Sequence, residues 1–108
     1  GVRQDYREAV NWYRKAAQQG NAKAQYNLGV MYEQGQGVRQ NYREAVNWFR
    51  RAAEQGLAPA QFSLGVMYDQ GRGVRKNKAV AKEWFGKACD NGEQKGCDQY
   101  RRLNEKGF

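Results

Sequence analysis

The chain has 108 residues, a net charge of +8, two cysteines and no histidine, a length that suits one domain. No apolar run approaches the roughly 20 residues a membrane-spanning helix needs, and two cysteines without histidine cannot complete a four-ligand zinc site. Lysine and arginine are spread along the chain rather than blocked together, which reads first as a solvated basic surface and only second as a site for a polyanion.

Residues 1–36, GVRQDYREAVNWYRKAAQQGNAKAQYNLGVMYEQGQ, return as residues 37–72, GVRQNYREAVNWFRRAAEQGLAPAQFSLGVMYDQGR. Residues 73–108 keep the frame with more changes. A fixed period of this size is the mark of a solenoid, in which each unit buries its apolar face on the next and about three units are the minimum. The chain opens inside the motif at Gly1, without methionine. That reads as a piece of a longer array or a processed product, and the lack of a signal peptide in these residues carries no information on secretion.

Each unit reads as two helices. The first is expected over 6–18. Asp5 stands as its cap with Glu8 three residues on, Ala9, Trp12, Tyr13 and Ala16 share one face, and Gly20 provides the stop. The second is expected over 22–34, with Ala24, Leu28, Met31 and Tyr32 on one face and Gly35 at its end. The next pair, 42–54 and 58–70, repeats this with Asn41 and Glu44 at the start. Ala45, Trp48, Phe49 and Ala52 follow, then Ala60, Leu64, Met67 and Tyr68. Pro59 sits in a first turn, where a missing N–H costs little. The last pair is expected over 78–90 and 94–106. Trp12, Trp48 and Trp84 recur on the apolar face and are expected in the core. Short connections make successive helices antiparallel neighbours. The expectation is an all-α chain of six antiparallel helices in three two-helix units, 1–36, 37–72 and 73–108. In the last unit Glu8 and Glu44 give way to Val80, which removes the capping box. Gly29 and Gly65 give way to Arg101, Tyr32 and Tyr68 to Asn104, and Tyr26 and Phe62 to Asp98. Small and apolar positions turning polar is what a terminal capping helix requires.

The pattern A-x-x-x-L-G-x-x-Y-x-x-G-x-G-V followed by A-x-x-W-(Y/F)-x-x-A-A-x-x-G resembles the Sel-one-like repeat (SLR) family. It is carried by Ala24, Leu28, Gly29, Tyr32, Gly35, Gly37, Val38, Ala45, Trp48, Phe49, Ala52, Ala53 and Gly56. The resemblance implies a relative of tetratricopeptide repeats: an α/α superhelix with a concave groove, acting as a protein–protein interaction scaffold, often in bacterial systems. By analogy with tetratricopeptide repeats, the groove-facing positions are Lys23, Tyr26, Val30, Glu33 and Gln34, then Pro59, Phe62, Val66, Asp69 and Gln70. In the last unit they are Lys95, Asp98, Arg102, Glu105 and Lys106, where the pattern has degraded. Tyr26, Val30, Phe62 and Val66 would form an apolar strip suited to an extended peptide or a helix. The competing reading is that Tyr26 and Phe62 are partly buried against a neighbouring helix.

KACDNGEQKGC is similar to the cysteine-rich branch of the same family, in which cysteines eight apart tie two helices together. A Cys89–Cys97 bridge is sterically reasonable across a short turn and implies an oxidising compartment, periplasmic or extracellular. The alternative is two reduced thiols packed as small apolar groups in the cytoplasm.

Two basic ladders recur at the repeat spacing: Arg3, Arg39 and Arg75, and Lys15, Arg51 and Lys87. They could follow phosphates, but no nucleic-acid motif accompanies them. An enzyme is not expected. There is no histidine, and acidic residues such as Glu8, Glu44, Glu33 and Asp69 recur with the repeat, as structural residues do. Cysteine-rich relatives have been linked with β-lactam binding or hydrolysis, but nothing here supplies a nucleophile and its base. The expected function is a scaffold that binds a protein or peptide in the groove, as a monomer and with neither cofactor nor metal. An anionic-polymer binder and a β-lactam hydrolase are the alternatives.

Overall fold

The computed structural model describes residues 1–108, except for the side chains of Val2 and Arg3. The described residues form six helices: α1 (Val2–Gln18), α2 (Ala22–Gln34), α3 (Tyr42–Glu54), α4 (Ala58–Gln70), α5 (Lys78–Asp90) and α6 (Gln94–Glu105). Each packs on the one before it and the one after, with no extensive contact further along the chain. The result is an elongated stack of 47 × 22 × 20 Å, as expected of a solenoid in which consecutive helices make most of the contacts.

The helix boundaries follow from local chemistry. Asn21, Asn41 and Asn77 lie in extended backbone, and their side chains accept from the N–H groups of Ala24, Glu44 and Val80. These caps satisfy donors that have no partner within the helix. Val80 serves as well as Glu44 because the donor is backbone. Gly35 and Gly71 end α2 and α4 with φ of 68° and 69°, a conformation that costs other residues a steric clash.

Asp5 corrects the reading of the first helix. It lies inside α1, which begins at Val2, and it caps nothing. The equivalent Asn41 and Asn77 are drawn out of the helix because their backbone N–H groups donate to Tyr32 O and Tyr68 O of the preceding helix, both at 2.9 Å. Asp5 N instead donates to Gly1 O at 3.0 Å, within its own helix. Its carboxylate still favours the positive end of the helix dipole.

Three clusters make up the core. The first joins Val10, Ala17, Ala24, Leu28 and Met31 to Trp48. The second, in α3 and α4, includes Phe49, Leu64 and Met67. The third is Ala81, Phe85 and Leu103. Trp48 is therefore core and Trp84 is partly buried, but Trp12, expected in the core, is 70% exposed. Trp48 and Trp84 are covered from the helix before them; no described helix precedes α1.

A close seam runs between α2 and α3 and is repeated between α4 and α5. A Cβ placed on Gly29 would lie 2.7 Å from the Phe49 ring, and one on Gly65 would lie 2.7 Å from the Phe85 ring. Those glycines are there because the next helix's aromatic lies against their backbone.

Candidate functional site

The residues assigned to the groove come from α2 and α4. Tyr26 and Phe62 are both partly buried. Their rings pack on the aromatics of the next helix, Tyr26 on Phe49 at 5.8 Å between centroids and Phe62 on Phe85 at 5.5 Å. Val30 leans on the central cluster and Val66 on the last one. Each of these four side chains gives one side to the core and leaves the rest at the surface. Gln34 and Gln70 are exposed, as is Lys23. Lys23 lines an open hollow of about 430 Å³ with Trp12, Tyr13, Ala16 and Asn27.

The two acidic positions differ. Asp69 is held from two directions: Lys78 Nζ of α5 reaches Oδ1 at 2.5 Å and Arg102 Nη2 of α6 reaches Oδ2 at 2.6 Å. Arg102 is itself oriented by Gln99, whose Oε1 accepts from its Nε at 2.7 Å. Glu33 occupies the same place one repeat earlier and makes no ion pair among the described residues. It is partly buried, and loss of solvation pushes its carboxyl above the usual range, against the pull of the Arg72 charge.

A second set of repeated polar groups ties the helices together. Gln25 and Gln61 are buried, each 4% exposed. Gln25 Nε2 donates to Ala17 O at 3.0 Å and Gln61 Nε2 to Ala53 O at 3.1 Å. Each also accepts from the end of the following helix, Gln25 from Gln55 and Gln61 from Asn91. At the third joint the same two positions are Cys89 and Cys97, and they form a disulfide with Cα atoms 4.6 Å apart. The bridge stands where the earlier joints have a side-chain-to-carbonyl hydrogen bond.

One of the two basic ladders is engaged within its own units. Lys15, Arg51 and Lys87 lie over the rings of Trp12, Trp48 and Trp84 at 5.5, 4.7 and 4.4 Å. Their recurrence follows from an i, i+3 cation–aromatic pair in each unit. Arg39 and Arg75 are exposed, and the side chain of Arg3 lies outside the described residues. Sequence reading missed a further pair. Arg14 donates to the Tyr32 hydroxyl at 2.9 Å and Arg50 to that of Tyr68 at 2.7 Å. In the last unit both partners change together, to Gly86 and Asn104, and that joint change was the available signal.

The described residues hold no group of three or more candidate metal ligands. No described helix is long and apolar enough to cross a membrane.

No curated protein matches the chain. Among solved structures it is similar to a protective antigen of uropathogenic Escherichia coli strains displaying an SLR fold. The TM-score is 0.92 and the identity 45%, over 95% of this chain and 22% of that one. It is also similar to a Sel1 repeat protein from Oxalobacter formigenes, with TM-score 0.85 and 42% identity over 87% of this chain and 39% of that one. Cysteine-rich protein B of Helicobacter pylori follows with TM-score 0.80 and 28% identity, over 82% and 67%. The chain thus spans well under half the length of the first two. The Sel1 repeat model matches residues 1–21, 22–57 and 58–93, a frame that pairs α2 with α3 and α4 with α5 across the two glycine–aromatic seams. The chain belongs to the Sel1 repeat family.

Proposed function

We propose that this chain is a protein–protein interaction scaffold that holds a peptide or a partner helix against the groove face of α2 and α4. The observation that carries the reading is the half-buried strip of Tyr26, Val30, Phe62 and Val66. Their inner sides are fixed by the core, so a partner would meet pre-positioned apolar edges and little side-chain entropy would be lost on binding. A few such anchors supply most of the affinity in a typical interface. Family membership supports a scaffold role. The disulfide supports an oxidising compartment, periplasmic or extracellular.

A random dodecapeptide library displayed on phage, selected on the folded chain, tests this. Peptides should be recovered that bind the wild type. They should lose at least about 2 kcal/mol of binding to Tyr26→Ala with Phe62→Ala, the usual hot-spot scale. These rings also pack on Phe49 and Phe85, so Tyr26→Leu with Phe62→Leu serves as the variant that keeps apolar volume toward the core. Circular dichroism checks that both remain helical. Peptides that bind both variants normally, and lose affinity instead on charge reversal at Arg39 and Arg75, would place the site on the basic ladder.

A further inference from the structure

We infer that Glu33 is the anchor for a basic side chain, an arginine or lysine, on the peptide or helix that docks here; this rests on the groove reading above. The repeat itself shows what the position accepts. One unit later, Asp69 takes a guanidinium from α6 and an ammonium from α5 on its two oxygens. The residues that would supply those cations to Glu33 are, by the same shift of one unit, Val66 in place of Arg102 and Tyr42 in place of Lys78. Neither carries a charge. Arg72, the cation whose field reaches Glu33, lies over the Tyr42 ring at 5.4 Å and forms no ion pair with it. A partly dehydrated carboxylate whose counterpart is doubly paired, and whose own fold omits both partners, is an acceptor left for a donor from outside.

Spacing along α2 describes the partner further. Tyr26 and Glu33 are seven positions apart in one helix, so they share a face at a separation of about 10 Å. An apolar side chain on the strip and a basic one on Glu33 are therefore about three residues apart in an extended peptide, or about seven, two turns, in a helix. The net charge of +8 favours an acidic partner at long range. The contact inferred here is short-range and local, and the two predict opposite peptide compositions.

The same dodecapeptide selection decides between them. Recovered sequences should be enriched in arginine or lysine at one of those spacings from an aromatic or aliphatic residue. The best peptide, made synthetically and titrated by calorimetry, should bind Glu33→Gln about tenfold more weakly or worse, as for a lost charge-assisted bond. Replacing its basic residue by norleucine should weaken binding to the wild type equally and to Glu33→Gln hardly at all. Gln keeps the size of Glu, and the norleucine arm does not depend on any variant folding. If peptides bind through Tyr26 and Phe62 without a basic preference, or bind Glu33→Gln unchanged, the Glu33 inference is overturned and the groove reading stands. If acidic peptides are recovered that ignore the Leu double variant, or no peptide is recovered, both fall.

Discussion

Trp12, Trp48 and Trp84 share one register in three units, yet their surroundings differ, and so should the cost of removing them. Trp48 is 8% exposed within a cluster drawn from α1, α2 and α3, so Trp48→Ala should lose about 3–5 kcal/mol of stability. Trp12, 70% exposed with Lys15 over its ring, should lose no more than about 0.5 kcal/mol, as surface positions do. Denaturant melts of the two variants give the comparison directly. Periodicity placed these three residues on one face, but it carries no information on whether another helix covers that face. Glu33 makes the opposite point, since its burial comes from tertiary contact alone. Its carboxyl is raised above 4.5 by desolvation, so the folded chain binds the proton more tightly than the unfolded one. The group therefore lowers stability as pH rises from about that value through its folded value. Glu33→Gln should melt higher than wild type at neutral pH, and the gap should close below about pH 4.5, read by thermal scans across that range.

At the scale of the helix, boundaries were legible because the signals are local: asparagine before the helix and glycine after it, with an apolar face between. All starts and stops after α1 lie within one residue of expectation. The start of α1 was not legible, since Asn41 and Asn77 are held outside their helices by N–H bonds to the preceding helix, whereas Asp5 N donates to Gly1 O, a tertiary difference that local residue type does not carry. The division of the groove residues was also hidden. Tyr26 and Phe62 lie off the main apolar face, and their burial depends on Phe49 and Phe85 arriving from the next helix. Asp69 reads as a free groove acid until Arg102, from α6, is seen to reach it. The helix-to-helix tie could have been found. Gln25, Gln61 and Cys97 align, and so do Ala17, Ala53 and Cys89; a covalent joint at one copy marks a close approach at the others. It follows that Ala53→Cys with Gln61→Cys should oxidise spontaneously, with a mass lower by two hydrogens and both new cysteines in one peptide pair. The loop is as short as the native one, so loop entropy should contribute about 2–3 kcal/mol, offset by about 1 kcal/mol for the Gln61 hydrogen bonds that the substitution removes. Failure to close in an oxidised glutathione buffer would mean that the two joints are not equivalent. By contrast, Gln61→Ala alone should cost only about 1 kcal/mol for its lost hydrogen bonds, since Ala53 O keeps the Gly56 N–H and Asn91 is exposed.

Across the whole molecule the extensive packing is between consecutive helices, with thinner contacts two helices along such as Trp48 on Val10 and Arg102 on Asp69, so the stack has no central nucleus and its two ends can loosen independently. Those ends are secured differently. α1 has no side-chain cap and bears an exposed tryptophan. α6 is bonded to α5 through Cys89–Cys97, clasped to α4 through Arg102–Asp69, and closed by Lys82 on Asn104 and Phe108 O. Local opening free energies should rank accordingly. In native-state hydrogen exchange the 108-residue chain should unzip from α1, with α5 and α6 among the slowest amides. Reductant should narrow the difference, because the last joint lacks the glutamine that backs up the other two, while the Arg102–Asp69 clasp remains. The disulfide thus acts as a hasp on the last hairpin: while it is closed, α6 can leave the stack only with its first turn still tied to α5.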